Sequence, residues 1–377
     1  MKKKPYEIGK EIRLWSTFLP DETGRELAKT LKSKWINTGK REAQFRLEFA
    51  KKFRQKYCVA TNSGTSSLRA SLACLGVGYG DEVVSTPYTF IATNTSILEQ
   101  GAKPVFADIQ YDTLNLDPAS IVKKITSKTK AIICVHYGGN PCDMDAIRKI
   151  GRDYNLPIIE DSAHAIGSKY KGHYIGEKGD IIIFSLQAVK IITSADGGLI
   201  STPNKNYYKQ LKKITWFGVD RENKKTTFID PMPEQIDLLG FKYNMNDITA
   251  TMALVGLKHV DRALAKRKRI GELYRRELAH CSKTKLLYYD PQNTPNYQIF
   301  PVHVKNRLAF AQFMRQRGIF VNVNNRRNDR YSIFGKKQKL PALKRVDEDT
   351  ILIPIHDDLN DKDLEKIITV IKKYDNA

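Results

Sequence analysis

Three polar segments in this sequence carry residue types able to do chemistry, and each sits next to an apolar run. The first is Thr61-Asn62-Ser63-Gly64-Thr65-Ser66-Ser67, ahead of Leu68, Leu72 and Leu75. Small hydroxyl residues and a glycine at a helix start expose backbone N–H groups, and the helix dipole adds partial positive charge. That is an anion site suited to a phosphate; alone, the same residues are also ordinary N-caps. The second is Glu160-Asp161-Ser162-Ala163-His164, directly after Ile158-Ile159. A carboxylate at the end of a buried strand is costly without a cationic partner, and a protonated ring nitrogen would serve. A metal held by this acidic pair and His164 is the weaker reading, because no further ligands lie near in sequence. The third is Lys190, a few residues after the run Asp180 to Ser185 and ahead of Gly197-Gly198. A lysine in such a pocket loses hydration, its pKa falls, and it can act as a Schiff-base nucleophile.

A chain with 63 Lys and Arg has many loop lysines, so Lys190 alone decides nothing. The combination and its order matter more. A phosphate nest, a strand-end carboxylate and a strand-end lysine meet three needs of pyridoxal phosphate. One holds the phosphate, one keeps the pyridine nitrogen protonated, and one forms the imine.

The surrounding pattern says how these segments are positioned. From about residue 57 to 202, short apolar runs alternate with helical patterns. The runs are Val83 to Thr86, Pro104 to Ile109, Ala131 to Tyr137, Pro157 to Asp161, Asp180 to Leu186 and Leu199 to Thr202. Runs that are apolar almost throughout are strands covered on both faces. The alternation predicts an α/β layered core with a largely parallel sheet, whose ligands gather at the strands' carboxyl ends. Residues 222–237 read as a long polar connection. A long helical pattern follows from about Asp247, with Ile248, Met252, Val255 and Leu264 near one face and Ile270, Leu273 and Leu278 extending it. The tail fits a smaller α/β unit. It has a strand over Ile351 to Ile355 and a helix bearing Leu364, Ile367, Ile368 and Ile371, capped near Asn360 or Asp361.

Bulk properties narrow the classes. A length of 377 residues implies two domains, and 41% hydrophobic residues argue against disorder over most of the chain. The five cysteines are scattered without a C-x-x-C pair, which argues against a zinc site or a disulfide framework. They read as small buried residues, and no metal is expected. The net charge of +22 attracts anions such as phosphorylated metabolites. Its tightest run, Lys266 to Arg269, reads as a solvated helix face, and no aromatic-rich basic motif supports specific nucleic-acid binding. The basic start MKKKPYEIGK lacks the apolar core of a secretory signal, and no apolar stretch is long enough to span a bilayer. A soluble, cytoplasmic protein is expected.

These segments, taken together, resemble the DegT/DnrJ/EryC1/StrS sugar aminotransferase family. Trp35 to Gly39 resembles its W-x-x-T-G element, and Gly64-Thr65 with Leu68 its G-T-x-x-L phosphate loop. Gly80 to Val83, Pro87-Tyr88-Thr89-Phe90 and Pro104 to Ile109 follow in register. Glu160 to Ala165 resembles E-D-x-A-[QH]-A, and Phe184-Ser185 to Lys190 with Gly197-Gly198 resembles F-S-x-x-x-x-K…G-G. Ile353 to His356 resembles the closing L-P-L-H element. Jointly these matches are very specific.

The resemblance implies fold type I of the pyridoxal-phosphate enzymes. That means a large domain with a mixed, mostly parallel seven-stranded sheet flanked by helices, over residues 1–250. A smaller C-terminal α/β domain would occupy 251–377. It implies that Lys190 bonds the cofactor and later shuttles a proton, and that Asp161 pairs with the pyridinium nitrogen. It places His164 near the ring hydroxyl, Tyr88 stacked on the ring, and Gly64, Thr65 and Ser185 on the phosphate. It further implies a homodimer with shared active sites. Some positions depart from the pattern. Ile191 stands where Asn often follows the lysine, Gln187 where His is usual, and Gly240 to Met245 replaces G-Y-N-Y-R-M. Lys242 there takes the place of an Asn that reaches the partner's phosphate, and could meet it as a point charge.

The implied activity moves an amino group from an amino acid, expected to be L-glutamate, to a keto-sugar. The expected acceptor is a nucleotide-linked keto-deoxyhexose, for amino-sugar and surface-polysaccharide synthesis. An unlinked acidic keto- or aldehydo-sugar is the second choice. A non-transaminating relative, a sugar dehydratase or regulator, is a reading of another class. Relatives that remove a sugar hydroxyl carry His where Lys190 stands, so the lysine argues for transamination.

Overall fold

The computed structural model describes residues 11–221 and 235–377. The basic start of the chain and most of the polar connection expected at 222–237 lie outside them. Seven strands form the main sheet: β1 (Tyr57–Thr61), β2 (Glu82–Ser85), β3 (Lys103–Phe106), β4 (Thr129–Val135), β5 (Ile158–Asp161), β6 (Ile181–Ser185) and β7 (Gly198–Thr202). Their spatial order is β1-β7-β6-β5-β4-β2-β3. β7 runs against both of its neighbours, and the other strands share one direction. The mixed, mostly parallel sheet is therefore as expected.

Near-continuous apolar strands need cover on both faces, and the period of two divides their side chains between two cores. Ile158, Ile182 and Phe184 pack on one face against Phe45 and Phe49, which lie on the helix Lys40–Lys52. Ile159, Ile181 and Ile183 pack on the other against Leu68 and Leu72 of the helix Gly64–Cys74. Along β5, Glu160 thus faces the first core and Asp161 the second. The acidic pair does not act as a unit. Glu160 is fully buried between His136 Nε2 at 3.1 Å and Arg148 Nη2 at 3.0 Å. Among the described residues no group of His, Cys, Asp and Glu could hold a metal ion.

A second, antiparallel sheet joins β8 (Thr284–Leu286), β9 (Phe300–Val304) and β10 (Thr350–Ile353). Its core holds Ile270, Tyr274, Phe300, Phe310 and Ile367. Ile12 joins it through a bridge to Ile319. The closing helix Asp361–Asn376 starts on a capping box: Asn360 accepts from the Asp363 N–H, and Asp363 accepts from the Asn360 N–H.

Two local readings differ from the sequence expectation. The long helical pattern is two helices, Asp247–Lys258 and Val260–Glu277, broken at His259. Ala250, Ala253, Leu254 and Leu257 join the first core, whereas Ile248 and Met252 stay half-buried. The packed stripe starts on two alanines, which a search for large apolar residues overlooks. Core membership passes from the main sheet at Ala263 to the small sheet at Ile270, within the second helix. The basic run Lys266 to Arg269 is also not uniformly solvated. Arg267 is 2% exposed and donates to Asp357 Oδ2 at 3.2 Å and to the Gln298 carbonyl at 3.0 Å. All five cysteines are buried and free, and no helix among the described residues is long and apolar enough to cross a membrane.

The W-x-x-T-G element has a structural task. Gly39 caps the helix Lys40–Lys52 but has no side chain to cap with. Asp247 does it from a distance: Oδ1 accepts the N–H groups of Gly39 (2.9 Å) and Glu42 (3.0 Å), and Oδ2 that of Arg41 (3.2 Å). A Cβ on Gly39 would stand 2.1 Å from the Trp35 indole nitrogen. Thr38 Oγ1 donates to the Met245 carbonyl at 2.6 Å and fixes the same joint. Removing the Asp247 carboxylate strands half-buried donors at a helix start, which costs about 1–2 kcal/mol. Asp247→Ala should therefore lower the urea midpoint by that equivalent with an unchanged slope. A midpoint within error of the wild type would refute the capping role.

Candidate active site

The phosphate-type segment opens the helix Gly64–Cys74. Ser63 is its N-cap, and the Ser63 hydroxyl accepts the Ser66 N–H at 3.0 Å. The first N–H groups of a helix have no intrahelical acceptor. Gly64 and Thr65 supply two of them, and both residues line a cavity of about 560 Å³. Ser185, the last residue of β6, closes on the same turn. A Cβ on Gly64 would meet Ser185 Cβ at 3.0 Å, so the glycine permits this approach. Gly198 is required from the other side, where an added Cβ would lie 2.5 Å from the Ser63 carbonyl oxygen.

Asp161, 3% exposed, lines the cavity at the end of β5. Its Oδ2 accepts from Thr93 Oγ1 at 2.7 Å and its Oδ1 from the Ala163 N–H at 3.1 Å. Burial nevertheless raises its pKa above the ordinary carboxylate value, against those hydrogen bonds and the pull of Lys190. A carboxylate in that state favours a cation placed against it. Lys190 lines the same cavity. Burial lowers its amine to about 8, and Asp161 partly opposes the fall. The lysine and the carboxylate therefore share one desolvated space.

His164 lines the cavity too, and burial with the nearby Lys190 charge drives its pKa well below 6.5. Its Nδ1 accepts the Gly138 N–H at 3.4 Å, which leaves Nε2 to carry the proton of a neutral ring. Tyr88 departs from the expectation. It is 4% exposed, stacks on Tyr137 at 4.8 Å, and is absent from the cavity lining. The turn after β2 sends it into an apolar cluster with Leu14 and Phe106. Phe90, two residues on and 64% exposed, lines the cavity instead. Lys242 also lies outside the lining. It is exposed, with its ammonium 4.4 Å from the Trp216 ring centroid, while its carbonyl accepts from Asn62 Nδ2.

The structure adds lining residues that motif spacing did not single out. Thr93, in the first turn of the helix that follows Phe90, reaches Asp161. Trp15, Gln298, Asn324 and Asn325 come from distant segments. Thr93 was detectable in principle from the hydroxyl-rich start of the helix Ala92–Leu98. The other four carry no local signal.

The cavity fits pyridoxal phosphate on its own terms. It has an anion cradle at one helix start, a buried carboxylate with only neutral donors on its oxygens, and a lysine of lowered basicity. The model of the DegT/DnrJ/EryC1/StrS aminotransferase family matches residues 19–372. The chain belongs to this family. A relative from Methanocaldococcus jannaschii, the uncharacterized protein MJ1066, is 34% identical over 365 residues, covering 94% of this chain and 95% of that one. The sugar aminotransferase CalS13 of Micromonospora echinospora superposes with a TM-score of 0.91 at 27% identity, covering 96% and 99% of the two chains. Spr1654 of Streptococcus pneumoniae, solved in its PLP form, gives 0.89 at 28% identity, covering 97% and 99%. The enzyme is a fold type I, pyridoxal-phosphate-dependent aminotransferase of the family that contains the sugar aminotransferases.

Asp161→Asn keeps the shape and both hydrogen-bonded neighbours but removes the charge. Turnover should fall by roughly 100-fold or more while the far-ultraviolet spectrum stays unchanged. Turnover within threefold of the wild type would remove the carboxylate from the chemistry.

Proposed function

We propose that this enzyme transfers the amino group of L-glutamate to a nucleotide-linked keto-sugar, with Lys190 as the lysine that bonds the cofactor. The observation that carries the reading is the shared cavity of Lys190 and Asp161. Bound pyridoxal phosphate supplies an electron sink that stabilises negative charge at an amino acid's α-carbon. The N–H groups of Gly64 and Thr65 and the Ser185 hydroxyl bind the phosphate. Asp161, steadied by Thr93 and Ala163, holds a proton on the ring nitrogen. His164 Nε2–H donates toward the ring oxygen. Lys190 Nζ, neutral above about pH 8, takes the α-proton and returns it on the other side of the reaction. Phe90 supplies an apolar face for the ring.

Charge and exposure support the finer assignments. A net charge of +22 attracts a sugar carrying a pyrophosphate, and a basic surface raises its encounter rate. Phe217, Ile236 and Leu239 expose apolar surface around one chain crossing, where Gly218 and Gly240 approach closely. Covering such a patch with a second copy, in a homodimer, brings the neighbouring Lys242 to the partner's phosphate cradle. The reaction is a cytoplasmic step in amino-sugar and surface-polysaccharide synthesis.

The acceptor is tested by loading the enzyme with pyridoxamine phosphate and offering a panel of keto-sugars. Nucleotide-linked keto-deoxyhexoses should restore the aldehyde spectrum, and unlinked acidic sugars should not. The reverse pattern would overturn the acceptor assignment. Lys190→Ala should take up cofactor without any covalent bond that borohydride fixes. In the wild type, the rate of covalent capture should climb about tenfold per pH unit below 8 and level off above it, because only the neutral amine attacks. A rate that goes on climbing tenfold per pH unit well above 8 would contradict the depressed basicity of Lys190.

A further inference from the structure

The segment that bears Lys190 is held by a residue from the other sheet. Gln298 lies just before β9 and is 3% exposed. Its amide nitrogen donates to the Val189 carbonyl at 2.9 Å, and its amide oxygen accepts the Ile191 N–H at 3.3 Å. These two groups belong to the two peptide units that flank the Lys190 Cα. One carboxamide therefore grips both peptide planes, and those planes set the direction of the Cα–Cβ bond. The Lys190 N–H itself donates to the Gln187 carbonyl at 2.8 Å. The orientation of the carboxamide follows from its partners, since one is an acceptor and the other a donor.

Gln298 is itself fixed. Its N–H donates to Asn296 Oδ1 at 2.9 Å, and its carbonyl accepts from Arg267 Nη1 at 3.0 Å. Asn296 Nδ2 donates to the Ile166 carbonyl at 2.8 Å, two residues past His164. Arg267 is neutralised by Asp357. The support reaches from Lys190 to both cores through buried hydrogen bonds.

We propose that Gln298 is the positioning residue of Lys190: its carboxamide holds the flanking peptides so that the amine stays in the cavity facing Asp161. The proposal rests on the reading of Lys190 as the cofactor-bonding lysine. Gln298→Met preserves length and bulk but removes both hydrogen bonds. Gln298→Glu keeps the acceptor for Ile191 and can donate to Val189 only when protonated, a form that burial favours.

Competitive acetylation of the cofactor-free protein, read by mass spectrometry at Lys190, reports where the amine loses its proton. The wild type should give about 8, and Gln298→Met should move toward the ordinary 10.5 as the amine swings into water. With cofactor, Gln298→Met should lose at least tenfold in kcat, with KM for the donor changing less than threefold. Gln298→Glu should recover relative to the wild type as pH falls from 9 to 6, whereas the Gln298→Met ratio should stay flat. The wild-type control separates the two readings: no borohydride-fixed bond at Lys190 would sink the lysine assignment itself. With that bond present, unchanged acetylation and kcat within twofold in Gln298→Met would overturn the clamp. If Gln298→Met fails to fold, the pH dependence of the Gln298→Glu ratio decides, and a flat ratio would overturn the proposal.

Discussion

A carboxylate and an amine, both drawn out of water, face one cavity at the carboxyl ends of β5 and β6. Burial pushes each toward its neutral form, raising Asp161 and lowering Lys190, while their mutual attraction opposes both shifts. The site is therefore poised. The Lys190 amine is less basic than an ordinary lysine, and Asp161 favours a cation against its oxygens. Neither property belongs to the residue type; both come from the cavity that Leu68, Ile183 and Val135 help to wall.

Strand parity is what separates this carboxylate from its neighbour. Asp161 pairs in register with Val135 on β4 and Ile183 on β6, and all three line the cavity. Glu160, one residue back, points to the opposite face and is consumed by His136 and Arg148. A one-residue slip would exchange the two carboxylates. The ion cluster around Glu160 opposes such a slip, since a buried carboxylate without its cations would be strongly unfavourable.

The second sheet completes the site rather than merely packing beside it. Gln298 reaches across to the peptides around Lys190, and Asn324 and Asn325 add polar groups to the same wall. Arg267, buried in the helix that passes between the cores, ties β9's approach to Asp357 and the Ile355 carbonyl. The backbone geometry around Lys190 thus depends on a residue that leads into the second sheet.

Much of this was legible in the residue order. The apolar runs and the helical patterns between them announced a largely parallel, doubly covered sheet, because strands apolar on both faces need cover on both. Gly64, Asp161 and Ser185 were legible because each stands at a strand or helix end, and Lys190 because it lies in the short loop between two apolar strands. The sequence by itself therefore determined most strands of the main sheet, their two-sided burial and the polar residues that follow them. Only the tertiary structure decided that Phe90 rather than Tyr88 meets the cavity, that Asp247 caps a helix 200 residues upstream, and that Gln298 holds the lysine loop. Those contacts join segments far apart in the chain. No periodicity or spacing encodes them, since they depend on how two cores close against each other.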